Sequence, residues 1–159
     1  MISFGSCCQF KGNIYVGYAD SPVIGCKISI GSGVTCTGSV EICVCDDNTT
    51  LSIGDDCMFS FGNFIWTSDT HAIIQDSELL NRGYSVIIGN HVWIGMNAII
   101  LKNTQIPSNS IIGACAVVSG KYDQIGSVFV GNPAKVTKTG INWDRARPTQ
   151  WLKANDLTN

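Results

Sequence analysis

The chain has 159 residues, a formal net charge of −2, only 14% charged residues and 17 glycines. That length fits a single domain, and the near-neutral charge provides no basic field for nucleic acid. No apolar run is long enough to span a bilayer.

Met1-Ile2-Ser3 places no basic segment ahead of an apolar one. The start therefore does not read as a secretory leader, and a cytoplasmic location is expected. The eight cysteines are then expected to be reduced thiols. Cys7-Cys8 and Cys43-x-Cys45 lack the second ligand pair of a zinc site. Cys36 and Cys57 read as core fillers, so no metal is expected.

A six-residue beat begins at Ile24 and continues through Ile30, Cys36 and Ile42. It returns at Ile53, Phe59 and Ile65, and again at Ile88, Ile94, Ile100, Ile106, Ile112 and Val118. Small or β-branched residues fill the fifth place at Val92, Ala98, Thr104, Ser110 and Ala116, and glycine fills the second at Gly89, Gly95 and Gly113. Such a period marks a β-solenoid, in which no edge buries itself and stacking supplies the stability. Three edges make one triangular coil, and the length allows about six or seven coils. The second-place glycine is expected at a tight turn that favours a residue without Cβ.

The beat breaks twice. From Ile42 to Ile53 the spacing is eleven, which reads as one residue short of two repeats, a bulge or a shortened corner. From Ile65 to Ile88 the segment 68–85 leaves the repeat, and a loop interrupting a rigid solenoid is a usual place for function. The solenoid is assigned to residues 1–125. Residues 126–159 form a C-terminal extension of the same domain, whose tail carries Trp143 and Trp151 and is expected to cap the open end.

The hexapeptide units are followed by further motifs. In order these are Ser68-Asp69-Thr70-His71, then Val86 to Gly95 with its His-Val-Trp-Ile-Gly, then Ile111-Ile112-Gly113-Ala114, then Gly131-Asn132-Pro133-Ala134-Lys135. In this order they resemble the hexapeptide-repeat acyltransferases. With Gly140 to Arg145 they look most like O-acetyltransferases of bacterial surface polysaccharides. The resemblance implies an all-β, left-handed parallel β-helix, an exception to the right-handed crossover rule. It also implies a homotrimer with sites between subunits, and acetyl-CoA as the acyl donor.

The candidate residues follow from the chemistry of acyl transfer. A sugar hydroxyl needs a base near neutral pH, which suits histidine. His71 is that candidate, by its Asp-x-His setting. His91 occupies an outward corner and is expected at the surface or a subunit contact. If the stretch is extended, Asp69 shares a face with His71 and would orient its ring; the alternative is an Asx-turn shaping the loop. The resemblance places Trp93 beside the catalytic histidine and the thioester. It places Gly95 and Met96 at the thioester end, Ala114 and Ser119 along the pantetheine arm, and Lys135 at the phosphates, where a point charge is apt. Glu78, Arg82, Tyr84 and Trp66 are candidates for the acceptor sugar.

Three other readings compete. Acetylation of an amine, on an amino-sugar nucleotide or an antibiotic, or of serine would use the same scaffold and His71. A γ-type carbonic anhydrase needs three zinc-binding histidines, and the chain has two. A structural solenoid would present a regular threonine face, whereas the threonines here are scattered.

Overall fold

The computed structural model describes residues 1–17 and 22–157. Inward-pointing side chains set the architecture. Ile30, Ile53, Ile88 and Ile106 pair in register on a first face. Cys36, Phe59, Ile94, Ile112 and Phe129 do so on a second. Ile14, Ile42, Ile65, Ile100 and Val118 form the third. All these pairings are parallel, as a left-handed β-helix of stacked coils requires. The twelve residues of these three columns from Ile30 to Val118 are at most 5% exposed. Burying an aliphatic side chain of this size is worth about 1.5–3 kcal/mol, so the three columns are the main cohesive element.

The first coil precedes the register read from the sequence. Phe4 and Phe10, six apart, meet edge to face at 5.9 Å and close the lower end. Ile2–Phe4 pairs with Ile28–Ile30, and Gly12–Val16 pairs with Val40–Val44. Ile24, expected as a first-place core residue, is instead 73% exposed, and its N–H donates to Asp47 Oδ1. It lies in a connection, and the buried residues of that edge are Ile28 and Ile30. Five complete coils and a partial sixth stack among the described residues, fewer than expected, because long connections take up the difference.

Those connections all fall at one corner. We designate the corner from first to second face the first corner, from second to third the second, and from third back to first the third. Ile42 lies on the third face and Ile53 on the first. Their spacing of eleven spans one corner where a spacing of six is usual. The break is thus an insertion of five, not the loss of one. Ile65 to Ile88 spans the same corner one coil later with 23 residues.

The second-place glycines also have a different reason from the one expected. A Cβ on Gly89 would stand 2.6 Å from Ser108 N, and one on Gly95 2.6 Å from Ile112 O. Close approach of the next coil selects glycine there. The left-handed turn belongs to the fourth place: Asp56, His91, Asn97, Asn103, Asn109 and Cys115 all have φ between 53 and 59°. Asparagine and aspartate tolerate that region best among residues with a Cβ.

The tail does not cap the solenoid. Tyr122 and Phe129, edge to face at 4.7 Å, close the upper end, and Lys135–Lys138 returns antiparallel along Val128–Val130. The chain then descends the first corner. Trp143 stacks on His91 at 4.1 Å and donates its indole N–H to His91 O at 2.8 Å. His91 Nε2 lies 3.0 Å from Trp143 O and Nδ1 2.6 Å from Asp56 Oδ2. Arg145 donates to Asp56 Oδ1, to Thr35 Oγ1 and to Gly33 O, tying the tail to coils two and three. Within the chain, His91 at its corner serves an internal latch. Trp151 lies farther on, exposed, in the helix α1, Pro148–Ala154.

Burial pushes the Asp56 carboxyl up, but hydrogen bonds from His91 and Arg145 outweigh it and hold it below its ordinary value of 3.8. A depressed folded value contributes stability above the unfolded value and loses it as pH falls through the folded one. The Trp143 indole N–H, followed by NMR hydrogen exchange, should therefore stay protected from neutrality down to about pH 4 and lose protection below. Asp56→Asn should weaken protection already at pH 7; unchanged protection would contradict the latch.

Candidate active site

The 23-residue passage from Ile65 to Ile88 builds the candidate site at the third corner. Its first limb turns sharply. Ser68 Oγ accepts from Thr70 N at 3.0 Å, Thr70 has φ +64°, and His71 N donates to Asp69 O at 2.8 Å. Asp69 to His71 is thus a tight three-residue turn and not the extended stretch that would put both side chains on one face. A hairpin follows, Ile74–Gln75 against Glu78–Leu79. Asp76 and Ser77, at φ +50° and +67°, form the two-residue turn in which both centres are left-handed.

Asn81 joins the two limbs. Its Oδ1 accepts from Ile73 N at 2.6 Å, and its Nδ2 donates to His71 O and to Asp69 Oδ2, each at 2.8 Å. Lys102 Nζ reaches the same Asp69 oxygen at 2.5 Å. The Lys102 ammonium is the main reason the Asp69 carboxyl lies below the usual carboxylate value. Asp69 thus works as the anchor of the loop. The sequence offered no signal for Asn81 or Lys102, since neither belongs to a motif and their meeting depends on how the loop folds back.

Between this loop and the smaller insertion below it lies a cleft of about 420 Å³, lined by Asp46, Asp47, Ser68, Thr70, His71, Ala72, Leu79, Asn81, Arg82 and Gly83. Ser68 Oγ donates to Asp46 Oδ2 at 2.8 Å, binding the two insertions together. Of the acceptor candidates, Arg82 lines the cleft; Glu78 sits in the hairpin, and Tyr84 and Trp66 are exposed beside the lining residues. Asp46 and Asp47 were not among the candidates, because the short insertion carrying them was read as a deletion.

The donor-side candidates stand elsewhere. Met96 and Ala114 occupy the second corner of successive coils, with Cys115 N donating to Met96 O. Gly131 to Lys135 crosses above them: Val117 N donates to Gly131 O and Ala134 N to Val117 O. Gly95 turns its backbone into this column, and Met96, Ala114 and Lys135 are exposed along it. Ser119 lies at the opposite end of the third face, its carbonyl accepting from Tyr122, and does not join the column. Trp93 is 37% exposed on the second face, its Nε1 3.4 Å from Ser60 Oγ and its ring 6.2 Å from Trp143. Within one chain, then, Trp93 and the column face away from the corner that carries His71.

The fold and this arrangement define a class: a parallel β-solenoid of hexapeptide repeats with a histidine-bearing loop at one corner. Residues 85–120 match the family model described as bacterial transferase hexapeptide, six repeats. The crystal structure of the polysialic acid O-acetyltransferase OatWY superposes with a TM-score of 0.69 and 31% identity, covering 99% of this chain and 84% of that one. The chain belongs to the hexapeptide-repeat acyltransferases. The polysialic acid O-acetyltransferase of Neisseria meningitidis is 38% identical over 122 residues, which is 76% of this chain and 56% of that protein. A maltose O-acetyltransferase from Clostridium difficile 630 superposes with a TM-score of 0.64 at 27% identity, covering 88% of this chain and 71% of that one. The chain spans about half the length of the curated relatives it matches.

Gly83 forms part of the cleft floor, where a Cβ would stand 2.4 Å from Asp46 Cβ. Gly83→Ala should therefore destabilise the fold by about 1–3 kcal/mol through overpacking, read by urea unfolding. Arg82→Ala, at an exposed neighbour, should stay within about 0.5 kcal/mol. Equal stability of the two variants would contradict the packing described.

Proposed function

We propose that this protein transfers an acetyl group from acetyl-CoA to a hydroxyl of a sugar in a surface polysaccharide or its precursor. The observation that carries the reading is His71, on the loop that its family resemblance singles out, at the edge of a cleft of about 420 Å³. Similarity to the Neisseria meningitidis polysialic acid O-acetyltransferase supports a polysaccharide acceptor. The opposite charges of Asp46, Asp47 and Arg82 around the cleft suit a polar, hydroxyl-rich ligand.

The chemistry needs no acyl-enzyme. The sugar hydroxyl enters the cleft and gives its proton to the His71 imidazole as its oxygen attacks the thioester carbonyl. The tetrahedral intermediate collapses with loss of the CoA thiolate, which takes the proton from His71. The N–H groups of Trp93 and Gly95 are committed to Ser110 O and Ile112 O in the coil ladder. Of that stretch, the Met96 N–H is the one that would donate to the oxyanion. Acetyl-CoA would lie along Met96, Ala114 and Lys135, with Lys135 at its phosphates and Trp93 beside the thioester.

His71 and this column occupy different corners of one prism. A complete site therefore takes the His71 loop from one copy and the column from another, which supports a homotrimer with three shared sites. Within one chain the two histidines lie at different corners, His71 at the third and His91 at the first.

As general base His71 should contribute about 10²- to 10⁴-fold to turnover. His71→Ala should lose that much rate in a free-thiol assay on the unacetylated acceptor sugar, with acetyl-CoA affinity nearly kept. Near-normal turnover in this variant would place the base elsewhere.

A further inference from the structure

We propose that Lys102 and Asn81 are positioning residues for His71, holding the catalytic loop against the rigid coil above it. This rests on the reading of His71 as the base. Lys102 sits at the third corner of the coil after the one from which the loop departs, between Ile100 and the left-handed Asn103. Its side chain is only 19% exposed. The ammonium donates to Asp69 Oδ2 at 2.5 Å and to Asn81 O at 3.3 Å, so one cation from the solenoid grips the outgoing and the returning limb.

Asn81 passes the grip to the histidine. Its Nδ2 holds His71 O, and the His71 N–H is held by Asp69 O, so the backbone on both sides of the imidazole is fixed to groups that Lys102 anchors. His71, Ala72, Ile73 and Ile74 are all exposed, and apolar packing does not hold them. An ordered base within reach of a hydroxyl therefore depends on polar clasps, and displacement by about 1 Å is enough to cost roughly 10²-fold in rate.

The test compares Lys102→Met, Lys102→Arg and His71→Ala on one acceptor. Lys102→Met should lower kcat by about 10- to 10²-fold while KM for acetyl-CoA stays within about twofold. Lys102→Arg should restore most of kcat. An inactive His71→Ala beside a Lys102→Met of wild-type kcat, or a Lys102→Met whose loss lies in KM for acetyl-CoA rather than in kcat, overturns the positioning role. Failure of Lys102→Arg to restore kcat in a folded protein overturns it too. A fully active His71→Ala instead overturns the underlying reading of the base, whatever Lys102→Met shows.

Discussion

Everything in this molecule depends on one contact repeated along an axis: an inward side chain resting on its counterpart one coil away. Ile53, Ile88 and Ile106 on one face, Phe59, Ile94 and Ile112 on the next, and Ile65, Ile100 and Val118 on the third make three continuous apolar columns. Because each coil is held only by its neighbours, stability is nearly a sum of adjacent interfaces. The ends then need closing. Phe4 with Phe10 below and Tyr122 with Phe129 above do so with aromatic pairs.

A rigid prism has little freedom to form a cleft, so function has to come from chain added at its corners. The additions concentrate at the third corner, where two insertions one coil apart enclose the cleft. Asp46 and Ser68 join them, and Asp69, Asn81 and Lys102 fasten the upper one to the coil beyond. The first corner is used differently. There the tail, through Trp143 and Arg145, clamps His91 and Asp56, which consolidates the stack and leaves the second corner open. On the proposed reading that open corner receives the acyl donor, and donor and base come from separate copies.

The repeat itself was legible because burial at every sixth residue is a local pattern that survives any insertion between coils. Its phase across an insertion was not. A spacing of eleven from Ile42 to Ile53 fits two edges almost as well as one long corner, and only the pairing of Ile53 with Ile30 decides. The same ambiguity placed Ile24 in the core, where an isoleucine in a connection cannot be told from one in an edge. The glycines were found for the wrong reason, since close approach between coils and a left-handed turn select the same residue. The loop that carries His71 was legible as a break in the beat. Its supports were not: Asn81 and Lys102 meet Asp69 across long stretches of chain, and no spacing rule links them. The path of the tail depended on the stacking of Trp143 on His91, 52 residues apart in sequence, which no local pattern announces.

The central claim is that the site is completed by two copies, one giving the His71 loop and the other the column at Met96, Ala114 and Lys135. Complementation between two disabled variants tests it most directly. His71→Ala lacks the base, and Met96→Trp fills the open corner; each should be nearly inactive alone. Co-expressed and purified as mixed oligomers, they should regain activity, because some sites combine an intact His71 loop with an intact column. Mixed oligomers as inactive as the parents, or a dilute monomer of the wild-type chain with full turnover, would contradict the shared site.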